Sequence, residues 1–147
     1  MAWNMYFVDK DILNERLMYV EELTGTFEKV DGLALERTCH MLIEASVDVG
    51  NMIIDAFILR DPGSYQDVMD IMENEGVIPK EDNERFRATF EWRSELTRNY
   101  TRLNHDQMKR DFASNLSAYS DFKQNVLNFF ENEGQAITAF KGDDHDV

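Results

Sequence analysis

The chain has 147 residues and a mass of 17.2 kDa, the size of one domain. Acidic residues outnumber basic ones 29 to 15, a formal charge of −14 that favours solubility and argues against indiscriminate nucleic-acid binding. With 43% hydrophobic residues, seven Gly and two Pro, the composition excludes wholesale disorder and argues against a turn-rich all-β sandwich; the single Cys39 excludes an internal disulfide and fits a reducing compartment.

The first predicted helix runs from about Asp9 to Lys29. Leu13, Leu17, Val20, Leu23 and Phe27 step by 4, 3, 3 and 4, and Asp9 is placed to cap it. Gly32 marks a break. A second, long helix is expected from about Ala34 to Leu59. Leu35, Cys39, Leu42, Ile43, Val47, Ile53, Ile54, Phe57 and Ile58 make it apolar over a wide arc, as suits a central helix with neighbours on two sides. Asp61-Pro62-Gly63-Ser64 is a turn, and Ser64 with Asp67 resembles a capping box opening a short third helix to about Glu75. After the Gly76–Pro79 loop, one unbroken fourth helix is expected from about Glu81 to Leu103. Asn104, with Gln107 three residues on, caps a fifth that runs to about Glu133, before Gly134. The acidic segment 142–147 reads as a frayed tail, leaving one helical domain over 1–141. Five helices with short connections predict an all-α, antiparallel bundle.

No apolar run approaches the roughly 18 residues of a membrane span. The best stretch, Met52–Ile54 and Ala56–Leu59, is cut by Asp55, and Met1–Tyr6 lacks a basic region leading into a long apolar one. A cytoplasmic protein with no membrane partner is expected.

On a straight helix of about 100° per residue, Arg93 and Tyr100 fall inside the apolar arc of the fourth helix, two turns apart; Arg98 falls about 140° from Arg93. An Arg on an apolar face needs an anionic partner, because an unpaired buried charge is costly. The second helix offers a narrow polar stripe of Arg37, Glu44, Asp48, Asn51 and Asp55, flanked by His40. Two readings of the stripe stand. It is a solvated face, or Glu44 or Asp48 holds Arg93 in a two-pronged, charge-assisted pair. Residues 85–102 also hold five Arg against two Glu, in a chain that is acidic overall. That concentration reads equally as a phosphate-binding island or as ordinary pairing along a helix surface.

Several stretches, taken in order, carry a family resemblance. They are Met5-Tyr6-Phe7-Val8-Asp9, the second helix with Glu44, Asp48 and Asn51, and Arg60-Asp61-Pro62-Gly63-Ser64-Tyr65 leading to Gly76-Val77-Ile78. Together they resemble the HepT-like family of the HEPN superfamily, and within it a YutE-like branch. The resemblance covers about residues 5–110. It implies a helical bundle that dimerises, with motif residues of both subunits lining a shared cleft. The family motif is an Arg, a His four to six residues later, then any residue and a Tyr. Here the matching stretch is Arg93-Ser94-Glu95-Leu96-Thr97-Arg98-Asn99-Tyr100. The resemblance therefore implies an RNA endonuclease, the toxin component of a toxin–antitoxin pair, with Arg93 and Arg98 at the catalytic site and Glu44, Asp48 and Asn51 supporting it. It implies no cofactor and no metal. It also implies a minimal nucleotidyltransferase as antitoxin partner, with Tyr100 as the candidate AMP acceptor.

Arg98 stands where the family has His. Cleavage by 2′-hydroxyl attack needs a base and an acid, and imidazole, with a pKa of about 6.5, suits both. A guanidinium stays protonated to about pH 12 or above and can only bind phosphate and stabilise charge. His40, His105 and His145 read as ordinary surface or capping residues, and Tyr100, on spacing alone, as a core tyrosine with its hydroxyl at the edge. Three functions follow: an active ribonuclease; a catalytically silent dimer that binds nucleotide, RNA or a protein through the same cleft; and a purely structural dimer with Arg93 locked to a carboxylate.

Overall fold

The computed structural model describes residues 9–141, with side chains through Glu133. Residues 1–8 and the predicted tail 142–147 lie outside the described residues. Within them there are six α-helices: α1 (Lys10–Phe27), α2 (Gly32–Phe57), α3 (Tyr65–Asn74), α4 (Lys80–Phe90), α5 (Trp92–Arg98) and α6 (His105–Lys141). A 3₁₀ turn, Tyr100–Arg102, joins the last two. No strand is present among the described residues, and none of their helices is long and apolar enough to cross a membrane.

The predicted caps form. Asp9 accepts hydrogen bonds from the Asp11 and Ile12 amides, both at 3.1 Å. Ser64 Oγ accepts from the Asp67 amide at 3.0 Å, and Asn104 Oδ1 from the Gln107 amide at 3.0 Å. Each satisfies an amide that the first helical turn leaves unpaired. Asp67 does not close a capping box. Its carboxylate takes both outer nitrogens of Arg60, at 2.6 and 2.7 Å, and the Gly63 amide at 2.9 Å. The Arg60 hydrogen bond, helped by the Gly63 amide, holds the Asp67 carboxyl well below the usual carboxylate range. This clamp fastens the loop that delivers Tyr65 to the start of α3.

As its wide apolar arc predicted, α2 is central, with Leu35, Cys39, Leu42, Ile43, Val49 and Ile53 buried. The neighbours α1 and α6 cover it, and Phe86 of α4 meets Tyr119 and Phe122 of α6 edge-on at centroid distances of 4.9 and 5.5 Å. Sequence neighbours α1 and α2 run antiparallel, as do α3 and α4. Helix α3 starts beside Glu44 and packs through Val68 against Gly50, in the middle of α2. A Cβ at Gly50 would collide with Cγ1 of Val68, so the missing side chain is what lets α3 lie this close.

Two helix boundaries differ from the sequence expectation. The predicted fourth helix breaks at Glu91 into α4 and α5. Phe86 and Phe90 bury the apolar face of α4, whereas no residue of α5 is fully buried. Three anchors then draw α5 onto new partners: Trp92 Nε1–H donates to Asp111 at 2.8 Å, Arg93 reaches Glu44, and Leu96 packs at the core edge. In the other case α6 runs through Gly134 to Lys141, because one Gly weakens a long helix without ending it.

The end of α2 carries strain. Ile58 lies at φ 53°, ψ 53°, a left-handed conformation that crowds a β-branched side chain, and it is 73% exposed. Replacing Ile58 with Gly is expected to stabilise the fold by about 0.5–1 kcal/mol, since strain is relieved and little burial is lost. A melting temperature equal to or below wild type in a thermal scan would contradict this.

Candidate functional site

Glu44 gathers three elements of the bundle. Its Oε1 accepts the Tyr65 hydroxyl of α3 at 2.8 Å, and its Oε2 accepts Nε–H of Arg93 from α5 at 3.0 Å. His40, one turn earlier on α2, places Nε2 3.4 Å from the same Oε2. The Arg93 guanidinium also lies 4.3 Å above the centroid of the Tyr65 ring, a cation–π contact. Arg93 is therefore fixed from its edge and from one face. Its Nη1 and Nη2 make no hydrogen bond among the described residues. Burial first, then the hydrogen bond to Glu44, raises the Tyr65 phenol above its ordinary range, so it stays a donor at neutral pH.

Of the two readings of the α2 stripe, the one pairing Arg93 with Glu44 is the one the fold adopts. The contact is one-pronged, through Nε, rather than the two-pronged pair considered from spacing. Asp48 is exposed and Asn51 half-buried, and neither makes a side-chain hydrogen bond among the described residues. Asp48 reaches the cluster only through its charge, felt at Tyr65.

The straight-helix wheel misplaced the motif. The Arg93 side chain is 47% exposed rather than buried in an apolar face, and Tyr100 is 64% exposed. The break at Glu91 and the 3₁₀ turn after Asn99 rotate both away from the core. The wheel also set Arg98 far from Arg93. In the structure Tyr65, Phe90, Glu91, Arg93, Thr97 and Arg98 are among the residues that line one open hollow of about 450 Å³. One chain thus presents both motif Arg residues to a single space. Arg98 and Arg102 form no ion pair among the described residues.

Tyr65 is the residue the sequence reading missed, and no spacing rule links positions 44, 65 and 93. His40 was read as a bystander and lies against Glu44. His105 pairs with Glu36 at 2.7 Å, away from the cluster, and His145 lies outside the described residues. Burial pushes the Cys39 thiol up to about 12, which makes it a core residue rather than a nucleophile. No group of three or more His, Cys, Asp or Glu side chains among the described residues is arranged to hold a metal ion.

The arrangement suits a phosphodiester. An Arg oriented by a carboxylate and a ring offers two outer nitrogens, a second Arg shares the space, and the Ser94 and Thr97 hydroxyls lie alongside.

Comparison with known proteins gives the family. The "Ribonuclease HepT-like" family model matches residues 12–126. A protein of Bacillus subtilis (strain 168) named "Putative RNase YutE" is 33% identical over 144 residues, covering 93% of this chain and 100% of the relative. The solved structure of YutE from Bacillus subtilis, described as a cytosolic protein of unknown function, superposes with a TM-score of 0.82 at 32% identity, covering 87% of this chain and 94% of that one. A match across the bundle, from α1 into α6, establishes that this chain belongs to the HepT-like family.

Proposed function

We propose that the chain is a cytoplasmic, metal-independent endoribonuclease that works as a homodimer, with the hollow between Arg93 and Arg98 receiving the scissile phosphodiester. The observation that carries this reading is Arg93 itself, held by Glu44 and Tyr65 with both outer nitrogens unbonded on the wall that Arg98 shares. In the reaction the 2′-oxygen attacks phosphorus and the bond to the 5′-oxygen breaks. The 2′-hydroxyl proton passes to water, and water protonates the leaving oxygen. The products are a 2′,3′-cyclic phosphate and a 5′-hydroxyl. Arg93 and Arg98 stabilise the charge that builds on the phosphoryl oxygens.

The exposed Tyr100, whose hydroxyl makes no hydrogen bond among the described residues, supports a second element of the proposal. It is an accessible acceptor for AMP from a minimal nucleotidyltransferase antitoxin. The resulting bulky anion, next to Arg98 and Arg102, would compete with RNA and silence a toxin.

One observation favours the alternative, a silent HEPN-like binder of RNA, nucleotide or protein: among the described residues no imidazole lines the hollow. Cleavage of a mixed RNA pool in EDTA separates the two. Wild type is expected to cut, and Arg98→His to cut faster by about 10²-fold, the value of a general acid–base group. Silence in wild type with activity in Arg98→His would establish the binder. Silence in both, with RNA still bound, would also remove the ribonuclease reading.

A further inference from the structure

The oxygen of Glu44 that holds Arg93 is also the one that His40 approaches. Oε2 lies 3.0 Å from Arg93 Nε and 3.4 Å from His40 Nε2, while Oε1 is occupied by the Tyr65 hydroxyl. Both side chains of the shared pair are partly open to solvent, His40 at 28% and Glu44 at 25%, so the imidazole can exchange protons. We infer that His40 is a positioning residue for the phosphate-binding Arg93, setting through Glu44 how firmly that Arg is held and making anion binding at the hollow depend on pH. The inference rests on the phosphate-binding half of the proposed function, not on cleavage.

The direction follows from charge. With His40 neutral, Arg93 is the one cation on Glu44 Oε2 among the described residues. Protonated His40 puts a second cation on the same oxygen. The carboxylate then divides its attraction, Arg93 is freer to turn its guanidinium to a phosphate, and the net charge of the cluster rises by one. Anion affinity therefore rises when the imidazole takes up a proton. The charged groups around His40 support this assignment. On its own helix they are Glu44, with Glu36 and Arg37 about one turn earlier. From α5 comes Arg93, and from α3 Tyr65, both through Glu44. Glu36 is already engaged by His105 of α6. Among the described residues no titratable group of α1, α4 or α6 bonds to His40.

Nothing in local spacing distinguishes this histidine from a surface residue. Its partner does, because Glu44 is the single carboxylate that fixes the motif Arg. The HepT-like motif places its own histidine on the helix of the Arg; here an imidazole on α2 lies against the carboxylate that holds that Arg.

The test has two readouts on the intact protein. The first needs no RNA: the ¹⁵N–¹H resonance of Arg93 Nε, assigned by its loss in Arg93→Lys, is followed from pH 8 to 5.5. In wild type it is expected to titrate. In His40→Gln, which keeps a polar side chain beside Glu44 but cannot titrate, it should stay flat, and in His105→Gln it should follow wild type. The second readout is binding of a fluorescein-labelled 12-nucleotide single-stranded RNA in EDTA at fixed ionic strength. Wild type should bind about three- to tenfold tighter at pH 5.5 than at pH 8, the scale of one added charge near a phosphate in a largely aqueous setting. His40→Gln should lose that dependence while matching wild-type affinity at pH 8. A titration of Arg93 Nε that survives in His40→Gln, or its absence in wild type, overturns the inference. If RNA fails to bind at every pH while the resonance titrates through His40, the coupling stands and the proposed function is what fails.

Discussion

Replacing Arg93 with alanine is expected to lower RNA cleavage by about 10²–10³-fold, the usual cost of removing one donor aimed at developing negative charge. The same variant should melt within about 4 °C of wild type. The two halves belong together. Arg93 is 47% exposed and Glu44 25% exposed, so their pair is screened by solvent and contributes at most about 1 kcal/mol. Removing the Arg does not strand a buried charge, since Glu44 keeps the Tyr65 hydroxyl, His40 and access to water. Cleavage in EDTA and calorimetry on one preparation check both. A fall of more than 10 °C would instead support the purely structural role for Arg93, and unchanged cleavage would remove it from the site.

Phe86→Ala is expected to cost about 3–5 kcal/mol, the largest single effect on stability proposed for this chain. Phe86 is completely buried and packs on Phe90, Tyr119 and Phe122 at 5.7, 4.9 and 5.5 Å between ring centres. Truncation removes the transfer energy of the ring, opens a cavity and deletes three aromatic contacts that also contribute. It further loosens α4 from α6, and α4 leads directly into α5, which carries Arg93. Urea unfolding followed by far-UV circular dichroism gives the value; a loss under about 1.5 kcal/mol would mean that the neighbouring rings close the gap.

What the sequence reveals is what local chemistry decides. The capping side chains Asp9, Ser64 and Asn104 act within three residues of themselves, so their roles are readable from spacing. The breadth of the apolar arc on α2 identifies it as central, and the need of Arg93 for an anion, set beside the polar stripe, narrows its partner to Glu44 or Asp48. What it hides is what tertiary pairing decides. The break at Glu91 has no Pro or Gly to announce it. It arises because Trp92, Arg93 and Leu96 find partners on α6 and α2 that a straight helix would miss. Tyr65 enters the site only because the Arg60–Asp67 clamp and the bare backbone at Gly50 bring the start of α3 beside Glu44. Gly134 looked like a stop because helix-ending glycines are common, and α6 continues through it.

The short α5 has one more consequence. It holds both motif Arg residues, yet it contributes no fully buried side chain and is tied down by a few polar bonds and the flanks of Trp92 and Leu96. The free energy needed to lift it from the bundle is therefore a small fraction of that needed to unfold α2 or α6. Its amide hydrogens should exchange with solvent through local opening, while those around Ile43 and Phe122 wait for global unfolding. On the proposed function, the face that meets RNA is thermodynamically separable from its scaffold and can reshape while the core stays folded.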